Sequence, residues 1–358
     1  RMLFDTYEKS LAPVKAIVEA RMPRREGETD EAYDRRIRSA YVDSCRFLLP
    51  AASLANLGMT ANARLLEHAI SKMLSHPLPE VRSIGAEVKR VTSAETPTLV
   101  KYADPLPYLM QATADFSSLE MELPESSGSE GDQDWCSLVQ YDPEGENRVL
   151  AAVLHRFSEM SFTEAFETVK LAPLEEREKL AALLLANLGE HDTPLRELEY
   201  THYTFDLLLD QGGYAEFKRH RMMTQTPQAL TARLGYATPR LLVEAGFETP
   251  YHTAMQAAAE AYETMAEFDP NLAAYLVPNG YYRRVLFSLN LREAFAFCRL
   301  RAAANAHFSL RRVAQRVGDE IRRVHPLLGS YLKLPSESWQ TVEKDHFMPD
   351  PGEGADAA

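Results

Sequence analysis

Two distant stretches of this chain share one spacing rule, and self-similarity restricts architecture more tightly than composition does. Pro50 is followed, after eleven intervening residues, by Asn62 and then Arg64, and Pro278 is followed, after eleven, by Asn290 and then Arg292. Farther on, GAEVKRV at 85–91 answers GDEIRRV at 318–324. Both matches come in the same order and inside helically patterned segments, which favours duplication over the generic likeness of amphipathic helices. The expected organisation is two related units, with residues 1 to about 105 answering only the later part of the second. The chain starts RMLFDTYEKS, without an initiator methionine, so upstream sequence is expected to have been removed.

Apolar residues recur at helical spacing over 28–49, about 60–75 and 79–92, so the first hundred residues are expected to be helical. Residues 117–134 are acidic, serine-rich and nearly free of large apolar groups, the composition of a flexible linker. WCSLVQY at 135–141 reads as a strand, DPEG as a turn and 147–158 as a helix. The expected domains are therefore a helical unit over 1–116, a linker over 117–134, a more complete unit over 135–337 and a disordered tail over 338–358.

The formal net charge of −13 argues against general nucleic-acid binding, which needs a basic face to displace counterions. A local cationic pocket for a small anion remains compatible with an acidic protein. Cys45, Cys136 and Cys298 are far apart and form no metal-ligand spacing, so no metal is expected. No apolar run reaches the length of a membrane span, and a cytoplasmic protein with reduced thiols is expected.

The densest local chemistry is KRHRMMTQTP at 218–227, where Lys218, Arg219, His220 and Arg221 stand in a row. A solvated helix end explains such a run, because cations complement the carbonyl-rich terminus. Paired guanidinium forks that match phosphate oxygens also explain it. Just before it, EYTHYTFDLLLD at 199–210 alternates as a half-buried strand, with Tyr203, Phe205, Leu207 and Leu209 on one face and His202, Thr204 and Asp206 on the other. QGGYAEF then turns into a short helix. NLREAFAFCRLRAAANAHFSLRR reads as one long helix in which Asn290, Phe297 and Arg301 share a face.

These residues resemble the flavin-dependent thymidylate synthase family. The resemblance rests on the strand with Thr204 in YTF, RHR at 219–221 at its distance from that strand, the later VP, and the helix bearing Asn290, Arg292 and Arg301. It covers most of 135–330 and extends through the repeat to about 40–92. It implies an α+β fold, helix-rich, with an antiparallel sheet flanked by long helices. It also implies FAD bound between subunits and reductive methylation of dUMP to dTMP, with methylenetetrahydrofolate and NADPH as co-substrates.

By that resemblance Thr204, Arg219, His220, Arg221, Asn62, Arg64, Asn290 and Arg292 hold the flavin. Arg46, Lys218, Arg219, Thr231, Arg233 and Arg301 hold the nucleotide, with Arg301 polarising the pyrimidine. Arg46 has Ala274 as its counterpart in the second unit, and Met73 answers Arg301. Two readings stay open: a split of duties between units, with Arg46, Asn62 and Arg64 completing a site with Arg219, Arg221 and Arg301, or independent decay of each unit. A homodimer of pseudo-dimers follows from the same reasoning.

The chain departs from the family pattern at Ala229, where an acid is expected, at Asn305, where a histidine is expected, and at Tyr200. Three readings stay open: an active enzyme of this kind, a noncatalytic flavin- or nucleotide-binding or assembly protein descended from it, and an unrelated helical interaction protein.

Overall fold

The structure is a computed structural model that describes residues 1–119 and 134–349. Its first helices are α1 (Met2–Arg21), α2 (Asp30–Cys45), α3 (Ala63–Leu74), α4 (Pro79–Glu95) and α5 (Pro107–Ser117). Strand β1 (Cys136–Tyr141) precedes α6 (Gly145–Phe157), α7 (Phe162–Leu171) and α8 (Leu174–Leu185). Strand β2 (His202–Asp210), α9 (Gln211–Phe217) and β3 (Thr224–Pro227) follow, then α10 (Arg240–Glu244), α11 (Glu248–Ala266) and α12 (Pro270–Ala273). The chain closes with β4 (Tyr282–Asn290), α13 (Leu291–Arg301), α14 (Phe308–Val324), α15 (Pro326–Gly329) and α16 (Trp339–His346). The α+β class, helix-rich around an antiparallel sheet, is as expected.

The four strands form one antiparallel sheet in the order β1-β2-β4-β3. Strand alternation decides which face is covered. Tyr203, Phe205, Leu207 and Leu209 of β2, with Val285, Phe287 and Leu289 of β4, are buried in one apolar core. Phe297 of α13 and Leu310, Val313, Val317 and Ile321 of α14 join that core. Phe205 and Phe287 stack across the two strands with ring centroids 5.3 Å apart. The helices start where the sequence supplies caps: Thr29 accepts from Ala32 N, Asp210 from Gly213 N and Asn290 from Glu293 N. Ser161 and Glu164 form a reciprocal capping box on α7.

Compact packing divides the chain differently from the expected boundary near 116. One unit gathers residues 1–51, 134–262 and 277–349, and the other gathers 52–119 and 263–276. The reason lies in backbone pairing that local composition does not reveal. Pro50 and Pro278 form an antiparallel bridge, Ala51 N donates to Val277 O at 3.0 Å, and Asn279 N donates to Leu49 O at 2.9 Å. The expected linker falls mostly outside the described residues.

Two further expectations are corrected. The long helix over 290–312 is two helices, because the chain reverses at residues 302–307 so that α14 lies on α13, with Cys298 Sγ 3.5 Å from Ala314 O. Alanine-rich propensity yields there to tertiary packing. The tail expected to be disordered from 338 contains α16, capped by Ser338, with Val342 buried and Trp339 edge-on to Trp135 at 5.7 Å. Its few apolar residues share one helix face, which a composition average hides. The glycines that open GAEVKRV and GDEIRRV have different neighbours: a Cβ on Gly85 would press on Met73 and Leu74, whereas one on Gly318 would press on Leu334.

His346 stacks on Phe308 at 4.6 Å, and burial, reinforced by the Arg311 guanidinium, lowers its pKa to about 4. A histidine lowered on folding contributes stability above its unfolded value, near ~6.5, and loses that contribution as pH falls toward its folded value. Unfolding free energy is therefore expected to fall between pH ~6.5 and pH ~4. His346→Phe, which keeps the stack without the titration, should flatten that slope in urea titrations. An unchanged slope would show that His346 does not contribute.

Candidate functional site

The core leads directly to the basic cluster. Phe217, the last residue of α9, meets Phe287 edge-on at 4.9 Å and Phe297 at 5.8 Å, and Phe297 meets the His220 ring edge-on at 4.9 Å. These contacts fix His220, which is only 9% exposed, while its neighbours Lys218, Arg219 and Arg221 are exposed. Gln225 Nε2 donates to the carbonyls of His220 and Phe217, tying the turn to the start of β3. The row of cations is thus neither wholly solvated nor wholly buried: the histidine is anchored and the two arginines flank it.

Arg301, at the end of α13, reaches this turn. Its Nε donates to His220 Nε2 at 2.9 Å and its Nη1 to Glu216 Oε2 at 3.0 Å. Because Nε2 accepts, the ring proton sits on Nδ1, which faces Glu293 Oε1 at 3.5 Å. The other oxygen of Glu216 faces Arg46 Nη2 at 3.6 Å, and Arg46 Nη1 lies 3.4 Å from Asp43. Two guanidinium groups far apart in sequence therefore converge on one carboxylate. Arg46 Nε and Nη2 are buried and make no hydrogen bond. Burial raises the Asp43 carboxyl above its ordinary range, against the lowering effect of Arg46.

Arg46 and Arg301, both expected at the nucleotide, face the two oxygens of Glu216. The other expected residues take several places. Thr204 pairs with Ser288 and Ser288 with Thr224, which sets three hydroxyls in a row across β2, β4 and β3. Adjacent strands lie about 4.8 Å apart, so Thr204 stands roughly 10 Å from the residue that follows the basic turn by three positions. Arg292 is engaged by Glu199 Oε1 at 2.8 Å and by the Pro194 carbonyl at 2.9 Å. Asn290 caps α13.

Asn290 and Arg292 line a cavity of about 180 Å³ together with Leu188, Met222, Glu293 and Phe295. Glu293 thus borders this cavity and also faces His220. Thr231 accepts from Arg233 N in the loop after β3, and the Arg233 guanidinium lies over the Tyr262 ring at 5.7 Å. Asn62 and Arg64 belong to the other compact unit, where Asn62 caps α3 and Arg64 is exposed.

Sequence reading passed over Glu216, Glu293 and Asp43. Glu216 carried a usable signal: it lies one helical turn before His220, the spacing at which side chains meet on a helix face. Among the described residues, no group of three His, Cys, Asp or Glu is placed to hold a metal ion, and no helix is long and apolar enough to cross a membrane. All three cysteines are free and buried, and burial pushes the Cys45 thiol up to about 11.

The UPF0159 protein of Chlamydia muridarum is 32% identical over 344 residues, covering 93% of this chain. The chain spans 64% of that relative's length. A flavin-dependent thymidylate synthase of Sulfolobus acidocaldarius is 27% identical over 142 residues, 37% of this chain and 55% of that protein. The crystal structure of the flavin-dependent thymidylate synthase of Helicobacter pylori, complexed with FAD and dUMP, aligns with a TM-score of 0.40 at 16% identity, covering 56% of this chain and all of that one. The model of the thymidylate synthase complementing protein family matches residues 137–327, and with more than half of its length inside that match, the chain belongs to this family.

Proposed function

We propose that the unit containing the sheet binds FAD and an anionic pyrimidine nucleotide, as an FAD-dependent thymidylate synthase-like protein that acts on dUMP. The observation that carries this reading is the convergence of Arg46 and Arg301 on Glu216 beside His220. Two fixed cations, partly buried, one at the end of α13 and one in the turn after α2, form a seat for a phosphate or an electron-rich pyrimidine edge. Arg219 and Arg221, exposed on either side of His220, supply forks for the flavin diphosphate. The cavity beside Asn290 and Phe295 offers an apolar wall for a ring.

Bound FAD would supply the redox chemistry of reductive methylation, with methylenetetrahydrofolate as carbon donor and NADPH as reductant. The chain's own part is to bind and orient. Arg301 lends charge where the pyrimidine becomes negative, and His220 holds Arg301 in direction through its Nε2 lone pair. Thr231 and Arg233 are candidates for nucleotide contacts, and Asn62 and Arg64 for flavin contacts.

One observation favours a second reading, in which ligand binding persists without turnover. Glu216 already neutralises the two arginines, and the departures at Ala229 and Asn305 remove an acid and a histidine from the family pattern. Purified protein should show flavin absorption bands, and Arg219→Ala and Arg221→Ala should each weaken FAD binding roughly ten- to hundredfold. Reoxidation of reduced flavin on adding dUMP and methylenetetrahydrofolate separates turnover from binding alone. Unchanged FAD affinity in both variants would return the cluster to an ordinary solvated surface.

A further inference from the structure

Placing Pro50 on Pro278 aligns more than the sequence motif. At the same shift in numbering, the 3-10 turn Arg46–Leu48 falls on Ala274–Leu276, Asn62 falls on Asn290, and the first residue of α3 falls on the first of α13. Both asparagines cap their helices through the side-chain oxygen, Asn62 to Leu65 N at 2.9 Å and Asn290 to Glu293 N at 2.8 Å. The proline bridge obeys the correspondence as well, because exchanging the two segments turns the bond from Ala51 N to Val277 O into the bond from Asn279 N to Leu49 O.

Between these landmarks the two segments part. Residues 282–290 form β4, while their counterparts 54–62 belong to no strand or helix. The counterparts nevertheless carry β4's alternation. Leu57, Met59 and Ala61 fall on Val285, Phe287 and Leu289, and Thr60 falls on Ser288. Val285 is 0% and Phe287 1% exposed, whereas Leu57 is 90% and Met59 63% exposed. Alternating apolar residues that lie exposed and outside any strand are the features of a strand lacking its sheet.

We infer that residues 54–62 are the docking edge for an antiparallel strand built like β2, carried by polypeptide of this same protein family outside the stretch matched here. β4 shows what such an edge takes: β2 pairs with it over nine positions, from His202↔Asn290 to Asp210↔Tyr282. No stretch before β1 supplies that strand among the described residues, since the elements of 1–119 are helices and turns. The Chlamydia muridarum relative matches 93% of this chain while the chain covers 64% of it, so that relative has further polypeptide in which such a strand can reside. With the strand in place, Asn62 and Arg64 stand at the end of a second sheet as Asn290 and Arg292 stand at the end of the first.

Hydrogen exchange tests this. In the 358-residue chain, the amides of 57–61 should exchange at the rate of unstructured peptide. In the full-length Chlamydia muridarum relative, the aligned amides should exchange roughly a thousandfold more slowly, as core strand amides do. Fast exchange in both proteins would overturn the inference. So would protection in the 358-residue chain that grows with protein concentration, because a second copy would then be the occupant.

Discussion

Arg301→Lys is expected to weaken dUMP binding about a hundredfold while the protein stays folded and retains flavin. Arg301 serves two partners in two fixed directions, Nη1 toward Glu216 and Nε toward His220. An ammonium keeps the charge and loses the planar fork, so one of the two partners goes unserved. A hundredfold loss corresponds to about 2.7 kcal/mol, in the range of charge-assisted hydrogen bonds. Calorimetric titration of dUMP into flavin-loaded wild-type and variant protein reads the effect, and circular dichroism confirms the fold. Equal affinities would remove Arg301 from the nucleotide seat.

The largest stability effect is expected from Phe287→Ala. Phe287 is 1% exposed, stacks on Phe205 and receives Phe217 edge-on, so its loss opens a cavity at the centre of the sheet. Removing a buried phenylalanine side chain costs about 3–5 kcal/mol. Leu286→Ala, one residue away on the opposite face and 46% exposed, should change stability by less than about 0.5 kcal/mol. Urea unfolding of the two variants makes the comparison. Similar losses would mean that the alternation of β4 does not decide what holds the sheet.

The residues themselves show which parts of this molecule the sequence could disclose. The alternation of Tyr203, Phe205, Leu207 and Leu209 reports a local period, and it gave β2 and its buried face directly. The break between α13 and α14 left no such trace, because alanines at 302–304 are good helix formers and the reversal is imposed by the packing of α14 on α13. The tail helix was masked in the same way: Trp339, Val342 and Phe347 are few among polar residues, yet all three pack inward. In the site, charge density marked Arg219 to Arg221 and the family resemblance marked Arg46. The carboxylates that join these cations were harder to see, because Glu216 and Glu293 are ordinary residues of helices until the fold brings His220 and the two arginines to them.

The central claim is that Arg46 and Arg301, carried on segments far apart in the chain, act as one anion seat. A double-mutant cycle on dUMP affinity measures this most directly, with wild type, Arg46→Ala, Arg301→Ala and the double variant, all loaded with FAD. Each single substitution should weaken binding, and the double variant should be little worse than the weaker single, leaving a coupling of about 1 kcal/mol or more. Additive losses with no coupling, or a wild-type protein that binds flavin and shows no affinity for dUMP, would contradict the account.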